Sequence, residues 1–192
     1  MDIGQEIVSA YLQVIKGCEF VQQNLYLPDV QAEIDVIGID LQTKTLYVCE
    51  VAIHLPTGLQ YVKNKQPDNV GRLIAKFSKD IEYTNEYFRG YENKHFMLWS
   101  PIVKSSGGTA RHNQMNDVAQ VQSKIKAEEG VVVELIINEK FEQCLSELRT
   151  YASKQTKELK SPVLRYLQIE SYLSKHLKKL SVKQSRTALQ QP

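Results

Sequence analysis

One carboxylate stands where the sequence otherwise offers apolar side chains. Glu50 interrupts the run Thr45-Leu46-Tyr47-Val48-Cys49-Glu50-Val51-Ala52-Ile53-His54. A nearly continuous apolar run of this length predicts a central strand covered on both faces. A carboxylate buried there without a partner costs several kcal/mol. Alternation along the strand puts Glu50, Ala52 and His54 on one face. The preceding run, residues 32–40 (AEIDVIGID), predicts a second strand on which Glu33 and Asp35 share a face. Gln42-Thr43-Lys44 marks a turn, so the two strands are hairpin neighbours. Asp35 and Glu50 stand at equal offsets from the centre of that turn, which sets them opposite each other or one bulge apart. Two such carboxylates repel unless a cation or a proton sits between them. A hard divalent ion with oxygen ligands is a natural filler. The plainer alternatives are a buried Arg or Lys paired with Glu50, and an Asp35 that faces solvent on an edge strand.

The elements that must position these acids are legible from periodicity. Residues 2–16 space Ile3, Ile7, Tyr11 and Val14 as an amphipathic helix, with Gly17 as its stop. Strands are predicted over 19–27, 32–40 and 45–54. Residues 55–69, with Pro56, Gly58 and Pro67, read as a loop. A helix over 69–88 carries Val70, Leu73, Ile74, Phe77, Ile81 and Phe88. Then come a strand over 95–103, a Ser105–Gly108 loop, a helix over 114–128 and a buried strand over 131–137. From 141 onward the chain reads as helix, broken at Ser161-Pro162. The expected organisation is one α/β core over 1–140, helices over 141–183 packed on or extending from it, and a disordered tail over 184–192.

Asp35 followed by Glu50-Val51-Ala52, on a hairpin preceded by a helix carrying Glu6, resembles the core of the PD-(D/E)xK nuclease superfamily. The resemblance covers roughly residues 2–103 and rests on element order and these carboxylates. It implies a restriction-endonuclease-like α/β fold: an αβββαβ core with a mixed sheet flanked by helices, here with a C-terminal helical extension. It further implies that Asp35, Glu50 and the Val51 carbonyl hold Mg²⁺ (or Mn²⁺), with Glu6 completing the site. The reaction implied is phosphodiester hydrolysis, the metal lowering the pKa of a bound water and polarising a phosphoryl oxygen. The sequence departs from the pattern at Ala52, where the superfamily has a lysine. Lys76 or Lys79, on the following helix, are the candidates to replace it, ahead of Lys63 and Lys65 in the loop. Such a cation supports charge that builds up in the transition state. His54 is a candidate proton carrier or substrate contact.

Each candidate also has a plainer role. Glu6 is favoured near a helix N-terminus by the helix dipole alone. His54 fits an ordinary strand end, and Lys76 and Lys79 fit a solvated helix face. Tyr83, Tyr87 and Tyr91, four residues apart, fit either a base-stacking stripe or a half-buried helix face.

Composition bounds the function classes. The 192 residues are 42% hydrophobic and 24% charged, ordinary for a globular domain. No apolar stretch is long enough to span a membrane, and the acidic start Met1-Asp2 is unlike a signal peptide. The expectation is a cytoplasmic protein. Cys18, Cys49 and Cys144 are scattered and predict free thiols rather than a zinc site. Residues 153–192 carry nine Lys/Arg and two acids, a net +7 against −5 for the rest. A basic end on an acidic body suits a polyanion or a solvated helix face. No Walker loop, GxSxG or HExxH motif occurs. Three functions follow: a metal-dependent nuclease acting on DNA rather than RNA; a non-catalytic relative, favoured by Ala52, that binds nucleic acid or a partner protein; and an interaction module in which the apolar side of 163–180 meets a second copy.

Overall fold

The alternating and helical periods of the sequence resolve into one five-stranded sheet with helices on both faces. The structure, a computed structural model, describes residues 2–29, 31–106 and 113–188, with side chains through Ser181.

The chain opens with α1 (Ile3–Val14). Its N-cap is Asp2, whose carboxylate accepts from the N–H groups of Gly4 and Gln5, satisfying donors that a helix start leaves unpaired. Three antiparallel strands follow: β1 (Phe20–Leu27), β2 (Ala32–Asp40) and β3 (Thr45–Val51). A two-residue hairpin, β4 (Val62–Lys63) with β5 (Gln66–Pro67), lies inside the expected loop. The crossover helix α2 (Asn69–Tyr87) leads to β6 (Asn93–Ser100), and α3 (Gln114–Glu129) leads to β7 (Val133–Ile137). The last elements are α4 (Asn138–Lys154) and α5 (Pro162–Ala188). The sheet order is β1-β2-β3-β6-β7, with β3, β6 and β7 parallel. This is an α/β architecture with a mixed sheet.

β3 is the middle strand and is buried from Thr45 through Glu50, as its apolar run required. One face of the sheet meets α1, α4 and the start of α5. Trp99 is central there, with the rings of Tyr11 and Phe141 edge-on at 5.3 and 5.9 Å. Gly38 lets α1 come close: a β-carbon there would lie 2.8 Å from Leu12 Cδ1. The other face buries Ile37, Leu46, Val48 and Leu98 under Leu73 and Phe77 of α2 and Val118 of α3.

Boundaries moved where neighbours ended. β3 stops at Val51 rather than 54, because β6 ends at Ser100 and Pro101 has no N–H to extend it. The last tie is the Ala52 N–H to the Trp99 carbonyl at 2.8 Å, so His54 lies past the strand. The tail boundary expected at 184 falls inside α5; residues 189–192 lie outside the described residues, as do Gly107 and Gly108 of the expected loop. All three cysteines are free and buried. Among the described residues no helix is long and apolar enough to cross a membrane.

Candidate functional site

The β2–β3 register runs Ile39↔Leu46, Gly38↔Tyr47, Ile37↔Val48 and Val36↔Cys49. Continued by one residue, it sets Asp35 beside Glu50, the relation the turn centre predicts. Val36 and Cys49 face α1, so by alternation Asp35 and Glu50 face α2. Asp35 Oδ2 accepts from the Val51 N–H at 2.7 Å. That bond ties the acid of β2 to the end of β3. On β1, Asn24 holds a left-handed φ of 51° at the level of Asp35, and its side-chain oxygen accepts from Gln5 Nε2 at 2.7 Å.

The cation comes from α2. Leu73, Phe77, Ile81 and Thr84 form its inward stripe, and Asp68 caps its start through the Gly71 N–H. Lys76 stands at the border of that stripe. Its Nζ lies 3.3 Å from Asp35 Oδ2 and also pairs with Glu50 Oε2. Asp80, one turn further on, points into the stripe and is 1% exposed. Glu50 is fully buried. Glu50 Oε1 and both Asp80 carboxylate oxygens are buried without a hydrogen-bond partner.

Three acids therefore share one ammonium. Burial, with the Asp80 charge added, raises the Glu50 carboxyl well above the usual carboxylate range in spite of Lys76. Burial also pushes Asp80 up to about 7. Burial alone would lower Lys76, but the Glu50 and Asp35 charges outweigh it and raise the group. The two directions at the Lys76–Glu50 contact are compatible. The ammonium is surrounded by acids and stays charged, whereas each acid has only a share of it. A carboxyl that takes up a proton gains a donor for the oxygens that Lys76 leaves unpaired. Burial raises Tyr61 as well, near the charges of Lys76, Glu50 and Asp35.

The outer side of this cluster opens into a cleft of about 360 Å³ lined by Glu33, Asp35, Arg72, Lys76, Lys79 and Asp80 among others. A second hollow of about 590 Å³, with Tyr61 and Lys63 on its wall, shares Arg72 and Ala75 with the first.

The other predicted residues lie elsewhere. Lys79 lines the cleft, and its Nζ is 3.5 Å from the Gln31 carbonyl rather than at Glu50. Lys63 and Lys65 are exposed on the β4–β5 hairpin. The His54 ring meets Tyr61 edge-on at 5.9 Å. Glu6 is on α1, across the sheet from α2, and accepts from Gln23 Nε2 at 3.1 Å. The Val51 side chain packs toward α1, and its N–H is the donor to Asp35. Of the tyrosines, Tyr83 and Tyr87 meet with tilted rings 4.6 Å apart, Tyr87 bonds Asp29, and Tyr91 lies past the helix against Phe88.

Asp80 is the member that the sequence reading missed. Its signal is the one that exposed Glu50: a charge at an apolar position, here within the 3–4 spacing of Phe77, Ile81 and Thr84.

Among the described residues no group of three or more His, Cys, Asp or Glu side chains is arranged to hold a metal ion. The donors at hand are Asp35 and Glu50, with Glu50 Oε1 an unused acceptor. Magnesium is commonly bound through one or two carboxylates and keeps waters for the rest. These are oxygen donors of the kind a hard divalent ion takes, and the Lys76 ammonium occupies the space between them. No family model matches the chain, and no curated protein and no solved structure matches it either.

Proposed function

We propose that this chain is a metal-dependent phosphodiesterase acting on nucleic acid, DNA in the first instance. The observation that carries the reading is the Lys76 ammonium, delivered from α2 to the Asp35–Glu50 pair where Ala52, just past the end of β3, supplies no cation. The order α1-β1-β2-β3, then the short β4–β5 hairpin, then α2-β6 supports it, because apart from that hairpin it resembles the restriction-endonuclease-like core. Asp35 and Glu50 are the residues to hold Mg²⁺ or Mn²⁺, which when bound supplies a lower pKa for water and charge for the phosphoryl group. Lys76 stabilises negative charge on a phosphate at the cleft mouth. Arg72 and Lys79 line that mouth and suit the flanking phosphates. Asp80, raised to about 7 by burial, carries less than a full charge beside Glu50 near neutrality.

A second reading has its own support. Lys76 already neutralises the pair without any metal, which suits a non-catalytic relative that binds nucleic acid or a protein.

One experiment separates them. Plasmid, linear and single-stranded DNA are incubated with the protein in Mg²⁺ or Mn²⁺, beside an Asp35→Ala/Glu50→Ala control, while calorimetry follows metal binding. Cleavage and metal binding that both vanish in the control support the enzyme. DNA binding with neither supports the relative and sinks the hydrolase.

A further inference from the structure

The last helix carries two apolar faces, and only one is used. Val163, Leu164 and Leu167 of α5 are buried against α1 and α4. On the opposite side Tyr166, Ile169, Leu173, Leu177 and Leu180 form a stripe at three- and four-residue spacing, each between 42% and 68% exposed. From Tyr172 to Ser181 every residue of the helix is exposed. A helical segment this short is marginal in water without cover, and an apolar stripe of this extent is unusual for a free surface.

We propose that a second copy of this chain covers the stripe, with the two α5 helices antiparallel and the twofold axis at Leu173. The spacing itself argues for it. Tyr166 and Leu180 lie seven residues either side of Leu173, and Ile169 and Leu177 lie four either side. An antiparallel pair centred on Leu173 therefore sets every apolar residue level with another: Tyr166 with the partner's Leu180, Ile169 with the partner's Leu177, and Leu173 with its own mate. The contact runs about 21 Å along the helix. Such an interface is isologous and closes at two copies.

Charge selects the same direction. Lys175, Lys178 and Lys179 lie on the outer half of α5. Parallel helices would bring these lysines together. Antiparallel helices carry each basic half toward the partner's first turns and its body, which over residues 1–152 has a net charge of −5. This pairing is independent of the cleft on α2.

Light scattering of the full chain at micromolar concentration tests the proposal. The wild type is expected to show twice the monomer mass, and Leu173→Glu/Leu177→Glu half of that. Both positions face away from the core, so circular dichroism of the variant should match the wild type. Register is read with a short bis-maleimide, since Cys18, Cys49 and Cys144 are buried. Ile169→Cys chains mixed with Leu177→Cys chains should crosslink strongly, and Ile169→Cys chains alone weakly. A monomeric wild type overturns the proposal, including one that binds phosphatidylserine vesicles through this stripe. Strong crosslinking of Ile169→Cys alone overturns the antiparallel arrangement.

Discussion

Two acid–base contacts sit on the same sheet, on opposite faces and toward opposite ends. At one, Lys76 meets Glu50 and Asp35, with side-chain exposures of 21%, 0% and 14%. At the other, His95 Nδ1 lies 2.6 Å from Glu134 Oε1, with exposures of 42% and 36%. The His95 ring also stacks on Tyr47 at 5.1 Å. The chemistry of the two contacts is alike, but their surroundings differ. Water screens the second and can solvate each partner separately. The first is far more enclosed, with Glu50 fully buried and only Lys76 and Asp35 reaching the cleft, and Asp80 adds a third acid behind it. Glu50 and Asp80 consequently keep buried oxygens without partners, and their carboxyls are raised. Unsatisfied polar atoms in a dry place mark a site more firmly than a close charge pair does.

The sharpest way to break this comparison is to remove the buried cation. Lys76→Met leaves Glu50 and Asp35 facing each other without compensation. We expect a loss of about 3–5 kcal/mol near pH 8, read by urea unfolding, with a smaller loss near pH 5 where the acids take up protons. If the proposed hydrolysis is detected, it should fall at least a hundredfold or so. A variant as stable as the wild type at both pH values would show that Lys76 is not part of a buried unit.

The next effect is the pH dependence set by Asp80. Its folded-state pKa of about 7 stands above the ordinary value of 3.8. A group raised in this way contributes stability that is fully present below about pH 4. That contribution is lost as pH rises through about 7. Glu50 acts in the same direction. The Asp80 contribution is on the order of 4 kcal/mol at most for a shift of this size. Asp80→Asn keeps a donor for Glu50 Oε1 and removes the titration. It should flatten the fall in stability between pH 5 and pH 8 and leave the variant more stable than the wild type at pH 8. Urea midpoints at the two pH values check this, and an unchanged slope in Asp80→Asn would refute it.

The two contacts also differ in how much the sequence disclosed. Glu50 was visible because a strand of apolar residues makes any charge conspicuous. Asp35 followed from it through the turn centre, since antiparallel register is fixed by turn position and alternation. Lys76 was one of two lysines on a helix. Choosing it over Lys79 depends on how α2 is rotated against the sheet, and that rotation is set by packing of Leu73, Phe77 and Ile81 rather than by local sequence. Asp80 is marked only by its place in the 3–4 spacing of Phe77, Ile81 and Thr84, where a charge stands out less than in a strand of apolar residues. Glu6 was expected at the acids, but α1 lies across the sheet, and element order alone does not say which face a helix covers. The His95–Glu134 contact joins the parallel strands β6 and β7. Their register is set across a helical crossover, with no turn centre to count from, so nothing in the sequence pointed to it.

The smallest effect tests the other arm of the comparison. His95→Phe keeps an aromatic ring against Tyr47 and abolishes the contact with Glu134. Glu134→Gln keeps the length of the acid and removes its charge. An exposed pair contributes at most about 1 kcal/mol and often nothing measurable, so each variant should unfold within about 0.5 kcal/mol of the wild type. Raising the salt concentration should shrink even that difference, because surface charges are screened over a Debye length of about 10 Å at 0.1 M. The same salt series should leave the Lys76→Met penalty nearly unchanged, since ions do not reach a carboxylate as enclosed as Glu50. If His95→Phe instead lost as much stability as Lys76→Met, burial would not be what separates the two contacts. Enclosure would then no longer single out the α2 face of the sheet.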